Sequence, residues 1–288
     1  VATAQAEHRL AILGAGVMGG NIATMAIGRG IPVVLIDTSA AALEAAGPRI
    51  RQQLRHAQLL GALPADGTPG ELVTAQSVTE IADATAVVEA VTELTDVKTK
   101  ALAEASETVR PGTPLISNTS GIPIDELADS VARPGELVGA HFMNPTYLIK
   151  MVEVIRGPRT SEATMSSVAA LLAAAGREPV VVADAPGFVT SRLLHPMIND
   201  AARVVAEGTA SVEAVDRLME GCLGHPTGPL RTADLIGIDN LVDALNALYE
   251  RTGDERCRPS ELLVEKVREG SLGRKSGRGF YDYGKAKP

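Results

Sequence analysis

The chain has no tryptophan, three phenylalanines and four tyrosines in 288 residues. A core built almost without aromatics must be filled by Ala, Val, Leu and Ile, which suits helices packed closely on a parallel sheet. Cysteine is scarce as well. Cys222 and Cys257 are too few for a disulfide framework, and no C-x-x-C pair or His cluster has the spacing of a zinc site. We therefore expect two thiols in a reducing cytoplasm, and no metal. There is no positive excess: 27 Lys+Arg against 35 Asp+Glu leave a net charge of −8. A nucleic-acid partner is not expected on that balance. No apolar run approaches the ~20 residues that cross a bilayer, and no basic amphipathic stretch suggests a membrane surface. The opening residues, Val1 to Arg9, contain no apolar signal core. The expectation is a cytoplasmic protein. What is present, 45% hydrophobic and 22% charged residues, excludes intrinsic disorder, and the length suits two domains.

Short β-branched runs bounded by Gly or Pro predict strands at residues 10–13, 32–36, 86–91, 114–117, 136–142, 150–155 and 179–183. Helical spacing predicts helices over residues 40–63 and 95–109 between them. After Asp184-Ala185-Pro186-Gly187 the pattern changes to helix almost alone, over about 189–207, 212–221, 232–252 and 260–268. The fold class expected is α/β. A Rossmann-type doubly wound sheet over 1–185 precedes an all-helical domain over 186–288. The tail from Gly270 to Pro288 holds three of the seven aromatics, Phe280, Tyr281 and Tyr283, and is expected to pack back.

The sharpest local signal is Gly14-Ala15-Gly16-Val17-Met18-Gly19. Alone such a loop is weak evidence. Here it follows a strand, opens a helix, and precedes a second strand ending in Asp37. Gly14 makes the tight turn, Gly16 admits a pyrophosphate to the backbone, and Gly19 lets the helix pack closely. The anion would rest on the first N–H groups of the helix, those of Val17 and Met18. Asp37 would accept from a ribose 2′-hydroxyl and repel a 2′-phosphate, so NAD is expected over NADP.

Past the cofactor half, His141 ends a strand inside Gly139-Ala140-His141-Phe142-Met143-Asn144-Pro145. Strand ends in open α/β sheets face the ligand crevice, and an imidazole is the usual base for an alcohol proton. Glu153, on the next strand, could hold the other ring N–H. The segment Ser117-Asn118-Thr119-Ser120-Gly121 follows another strand and would meet the same crevice.

Ordered matches run through the chain: the glycine loop, Val88-Glu89-Ala90-Val91-Thr92-Glu93, Ser117-Asn118-Thr119-Ser120, His141-Phe142-Met143-Asn144-Pro145 and Met151-Val152-Glu153-Val154-Ile155. They continue with Pro186-Gly187-Phe188-Val189, with Gly224-His225-Pro226-Thr227-Gly228-Pro229-Leu230, and with residues 273–283 near the end. With these the sequence resembles the 3-hydroxyacyl-CoA dehydrogenase family, particularly its short bacterial 3-hydroxybutyryl-CoA dehydrogenases, over nearly its whole length. The resemblance implies NAD-dependent, reversible oxidation of a 3-hydroxyacyl thioester to the 3-oxoacyl thioester. It makes His141 the general base, Glu153 its partner, and Ser120 the serine that holds the reacting oxygen. Glu93, Lys98 and Asn118 are assigned to the cofactor and Asn144 to the substrate. It further implies a homodimer.

The sequence departs from that family in two places. After Pro-Gly-Phe the family carries Asn-Arg, whereas Ser191-Arg192 stands here, so Ser191 is assigned to the substrate and to catalysis in the asparagine's place. The family's Lys-Gly-Lys-Leu-type turn, which serves the CoA phosphates, is Leu60-Gly61-Ala62-Leu63. Arg49, Arg51, Arg55 and His56 are the candidate substitutes on the preceding helix, with Arg49 and Arg55 assigned to the substrate. An alternative substrate is a hydroxyacyl group, such as a glyceryl thioester, tethered to an acyl carrier protein in polyketide or antibiotic extender-unit biosynthesis. A non-catalytic structural relative is a third reading. The related β-hydroxyacid dehydrogenases use a lysine near the start of the interdomain helix, and no Lys lies between Lys150 and Lys266.

Overall fold

The computed structural model describes residues 8–284. The chain divides into two compact units, Val1–Ala185 and Pro186–Pro288. In the first, strands and helices alternate as β1 (Leu10–Leu13), α1 (Val17–Ile27), β2 (Val33–Ile36), α2 (Ala40–Leu59), β3 (Leu72–Ala75), β4 (Ala86–Glu89), α3 (Thr95–Thr108) and β5 (Leu115–Ser117). They continue as α4 (Ile124–Ala128), β6 (Leu137–Phe142), β7 (Met151–Arg156), α5 (Glu162–Ala174) and β8 (Glu178–Ala183). One eight-stranded sheet results, in the order β3-β2-β1-β4-β5-β6-β7-β8. All neighbours pair in parallel except β6 and β7, which are antiparallel.

The sequence of β1, β2 and β4 dictates this arrangement. Every residue of those strands is buried, and continuous aliphatic runs are stable only where helices cover both faces of a sheet. Ile12, Ile22, Met25, Leu35, Ile50, Val88 and Leu172 pack into one core beneath α1, α2 and α5. The strand order reverses between β1 and β4, a topological switch point, and ligand crevices in open α/β sheets form there at the carboxyl ends of the strands.

Several elements differ from the sequence reading. The helix expected over 40–63 stops at Leu59, because Gly61 turns to φ +68°. The strand of 86–91 ends at Glu89, whose carboxylate is drawn inward. Two helices of the first unit, α4 and α5, were not anticipated. Ser161 starts α5 by accepting the amide of Thr164 at 3.2 Å.

The second unit contains α6 (Thr190–Ala206), α7 (Val212–Leu223), α8 (Pro229–Ile236), α9 (Ile238–Thr252) and α10 (Glu261–Arg268). The single helix expected over 232–252 is in fact two, since Gly237 takes φ +95° and breaks it. Ile198, Leu230, Ile238, Leu241, Leu245, Leu248 and Leu263 form the core of this unit. The aromatic tail folds back on it. Asp234, buried, accepts the amides of Phe280 at 2.8 Å and Tyr281 at 2.9 Å and the hydroxyl of Tyr283 at 3.0 Å. Asp216 accepts the Tyr281 hydroxyl at 2.8 Å, and burial together with that carboxylate pushes the Tyr281 phenol upward. Among the described residues no helix is long and apolar enough to cross a membrane.

Candidate active site

The turn after β1 shows why glycines are required. At Gly14, φ is +102°, and a Cβ would lie 2.6 Å from the carbonyl oxygen of Ala90. At Gly19 a Cβ would lie 1.8 Å from the carbonyl oxygen of Gly14. Nothing lies within 4 Å of the Cβ position of Gly16, so the loop is open there, and α1 begins without a side-chain cap. Uncapped amides beside open space at a helix start form an anion cradle, which fits the pyrophosphate of a dinucleotide. Asp37 follows β2 directly. Its Oδ2 accepts the Ala15 amide at 2.7 Å and its Oδ1 the Ser39 amide at 2.8 Å. The acid is thereby fixed beside the glycine loop, where a ribose would present its hydroxyls.

The next strand end holds a buried ionic cluster. The side chains of Lys98 and Glu89 are fully inaccessible, and Nζ lies 2.8 Å from Oε1. Glu89 also accepts the Val91 amide at 2.8 Å and the Ser117 hydroxyl at 2.7 Å. The same ammonium lies 3.1 Å from Oε2 of the half-exposed Glu93. Through its other oxygen, Glu93 accepts the Thr119 hydroxyl at 2.5 Å and the Ser120 amide at 2.7 Å. Glu93 thus ties the loop after β4 to the loop after β5, and Lys98 lies between it and Glu89.

The β6–β7 pairing places His141 directly opposite Glu153, and the ring Nδ1 lies 3.1 Å from Oε2 of Glu153. Both side chains are nearly buried, at 9% and 5% exposure. A carboxylate only accepts, so Nδ1 carries the proton and Nε2 is the basic nitrogen. Asn118 joins the ends of β4 and β6: its Oδ1 accepts the Phe142 amide at 3.0 Å, and its backbone N–H donates to the Glu89 carbonyl at 2.9 Å. Ser120 is half-buried and Asn144 exposed. The first unit therefore collects the glycine loop, Asp37, Glu93, Lys98, Asn118, Ser120, His141 and Asn144 at the carboxyl ends of its parallel strands, with Glu153 across from His141.

The sequence also names Ser191, Arg55 and Arg49. Ser191 is buried in α6 of the second unit. Arg55 lies exposed on α2. Arg49 does not stand free for a CoA phosphate; its Nη2 donates to the carbonyls of Ala15 at 2.6 Å and Gly16 at 2.9 Å. The sequence places Ser117 and Thr119 at the crevice and Glu89 in a family motif, without an individual role for any of the three. No local pattern marks Glu89: a buried carboxylate survives only when paired, and its partners Lys98 and Ser117 are 9 and 28 residues away.

The family model described as the 3-hydroxyacyl-CoA dehydrogenase NAD binding domain matches residues 9–185, and that of the C-terminal domain matches residues 187–283. A probable 3-hydroxybutyryl-CoA dehydrogenase of Bacillus subtilis is 41% identical over 278 residues, covering 96% of this chain and 97% of the relative. One of Deinococcus radiodurans is 39% identical over 277 residues, with 96% and 100% covered. Among solved structures, FadB2 of Mycobacterium tuberculosis superposes with a TM-score of 0.91 at 34% identity, covering 97% of this chain and 100% of that one. The (S)-3-hydroxybutyryl-CoA dehydrogenase PaaH1 of Ralstonia eutropha gives 0.88 at 36% identity with the same coverage.

Proposed function

The chain belongs to the 3-hydroxyacyl-CoA dehydrogenase family, NAD-dependent oxidoreductases, and we propose that it oxidises the 3-hydroxyl of short 3-hydroxyacyl-CoA esters through His141. The observation that carries this reading is the His141–Glu153 pair, whose geometry leaves Nε2 as the proton acceptor. The Ser120 hydroxyl, set by the hold of Glu93 on its amide, orients the reacting oxygen, and Asn144 assists. As the 3-hydroxyl gives up its proton to Nε2, Glu153 stabilises the imidazolium that forms. Bound NAD supplies the hydride acceptor. The glycine loop through Val17 and Met18, with Asp37, Glu93, Lys98 and Asn118, would hold it. In the reverse direction His141 donates the proton back.

Ser191 is proposed as the substrate contact in place of the family asparagine, and Arg55 as an exposed α2 cation for a CoA phosphate. The relatives are named for CoA esters, which favours a CoA ester over a carrier-protein substrate. An intact base and glycine loop favour an enzyme over a non-catalytic relative. A cytoplasmic location suits the two free thiols, Cys222 and Cys257. NADH formation from 3-hydroxybutyryl-CoA, with free 3-hydroxybutyrate and the carrier-protein thioester as comparisons, tests the assignment. We expect turnover of the CoA ester with NAD and a preference over NADP of ~100-fold, set by the repulsion between Asp37 and a 2′-phosphate. A carrier-protein preference, or equal use of NADP, would contradict it.

A homodimer through the second unit is proposed as well. Leu193, Pro196, Met197, Val204, Leu218 and Met219 line an apolar cavity of 670 Å³ on that unit, and Leu193 and Leu218 are 69% and 58% exposed. Exposed leucines beside such a groove are typical of an interface. Leu193→Glu is expected to give monomers by analytical ultracentrifugation; a wild-type protein that already sediments as a monomer would overturn this.

A further inference from the structure

We propose that Arg49 is a cofactor-positioning residue, aiming the glycine loop's amides at the pyrophosphate, and that it does not grip the acyl-CoA. The inference rests on NAD binding by this family and adds a residue from α2 to it.

Nη2 of Arg49 donates to the carbonyl oxygens of Ala15 and Gly16. In a trans peptide the carbonyl and the following N–H point in opposite directions. Both carbonyls turned toward Arg49 therefore turn the amides of Gly16 and Val17 to the other side of the loop. The two amides before them are already engaged: Gly14 donates to the Ile36 carbonyl at 2.7 Å and Ala15 to Asp37. The Gly16 carbonyl also accepts the Gly20 amide at 3.0 Å in the first turn of α1, so Arg49 fixes the Ala15–Gly16 peptide and reinforces the Gly16–Val17 one, and the amides of Gly16, Val17 and Met18 remain for the anion. The guanidinium also brings a positive charge to a turn that receives a dianionic group, and opposes the charge of Asp37.

A second feature supports the assignment. Gly20 follows the G-x-G-x-x-G pattern, and the spacing of that pattern gives it no function. A Cβ at Gly20 would lie 2.9 Å from Nη2 and 3.2 Å from Nε of Arg49. The missing side chain is the space in which the guanidinium sits. Gly20 and Arg49 thus form one device, assembled from α1 and α2.

The device is tested by NADH fluorescence titration together with steady-state kinetics of Arg49→Met, Arg49→Lys, Gly20→Ala and the double variant Gly20→Ala/Arg49→Met. A charge-assisted hydrogen bond is worth about a tenfold change in an equilibrium or more. Arg49→Met is expected to weaken NADH binding ~10-fold, with kcat at saturating cofactor and the KM for acyl-CoA within ~2-fold. Arg49→Lys recovers part of the loss, because an ammonium reaches one carbonyl in place of two. Gly20→Ala displaces only the far end of a flexible side chain, so it keeps the fold and carries the test if Arg49→Met is unstable. It should weaken NADH binding by a similar factor, and the double variant should be no worse than either single one. A raised KM for acyl-CoA with unchanged NADH affinity would make Arg49 a CoA contact and overturn the proposal. Unchanged values for both ligands would reduce it to a solvated helix residue. A wild-type protein that binds no NADH would overturn the cofactor reading itself, and Arg49's part in it.

Discussion

Replacing His141 by glutamine should lower kcat by about 10³-fold and leave NADH affinity unchanged, because a positioned general base contributes 10²- to 10⁴-fold to proton transfer. The expectation follows from where the proposed base lies. His141 ends β6 at the carboxyl edge of the sheet, and antiparallel β7 brings Glu153 opposite it in register. A one-residue slip of that register would send Glu153 to the other face, so the hairpin itself specifies the pair. Glu153→Gln tests the partner. An amide can donate to Nδ1, which favours the tautomer with its proton on Nε2 and disables the base, so a loss of about 10²- to 10³-fold is expected. The two residues act as a unit, and the double variant should be little worse than His141→Gln alone. Stopped-flow NADH formation at saturating substrate reads all three. Full activity in His141→Gln would remove His141 from the mechanism.

The second large effect is on stability. Lys98→Met leaves the carboxylate of Glu89 buried without its cation, and breaking a buried ion pair from one side costs about 3–5 kcal/mol. For a protein of this size that is a fall of roughly 10 °C in the melting temperature of the first unit. Glu89→Gln should cost less, because Glu93 still lies 3.1 Å from the ammonium and shares its charge. The double variant Glu89→Gln/Lys98→Met should recover much of the loss, since no buried charge is then stranded. Thermal melts by circular dichroism check this order, and additive losses would show that the two residues do not interact as the structure places them.

The βαβ opening and the NAD loop were legible because their signals are local: β1, the three glycines and Asp37 lie within 28 residues. His141 and Glu153 were legible as a pair because one hairpin connects them. Glu89 was not, since its burial is satisfied by Lys98, nine residues away, and Ser117, 28 residues away, and no local pattern reveals that closure. Helix α5 escaped for a compositional reason. Its sequence, EATMSSVAALLAA, is so rich in alanine that the apolar stripe has little polar contrast. The break at Gly237 was hidden because leucine and isoleucine continue with helical spacing across it, and only the backbone angle shows the interruption. Arg49 illustrates a further limit. A charged residue on an amphipathic helix reads as solvated or ligand-binding, and its actual partners are carbonyls 33 and 34 residues earlier.

The central claim, hydride transfer at C3 of a 3-hydroxyacyl-CoA with His141 as the acid–base group, is tested most directly by isotope transfer. The purified protein would be incubated with NADH dideuterated at C4 of the nicotinamide and acetoacetyl-CoA, and the product examined by mass spectrometry. The account predicts 3-hydroxybutyryl-CoA carrying one deuterium at C3 from the wild-type protein, and a rate ~10³-fold lower from His141→Gln. Deuterium absent from C3, or equal rates for the two proteins, would contradict it.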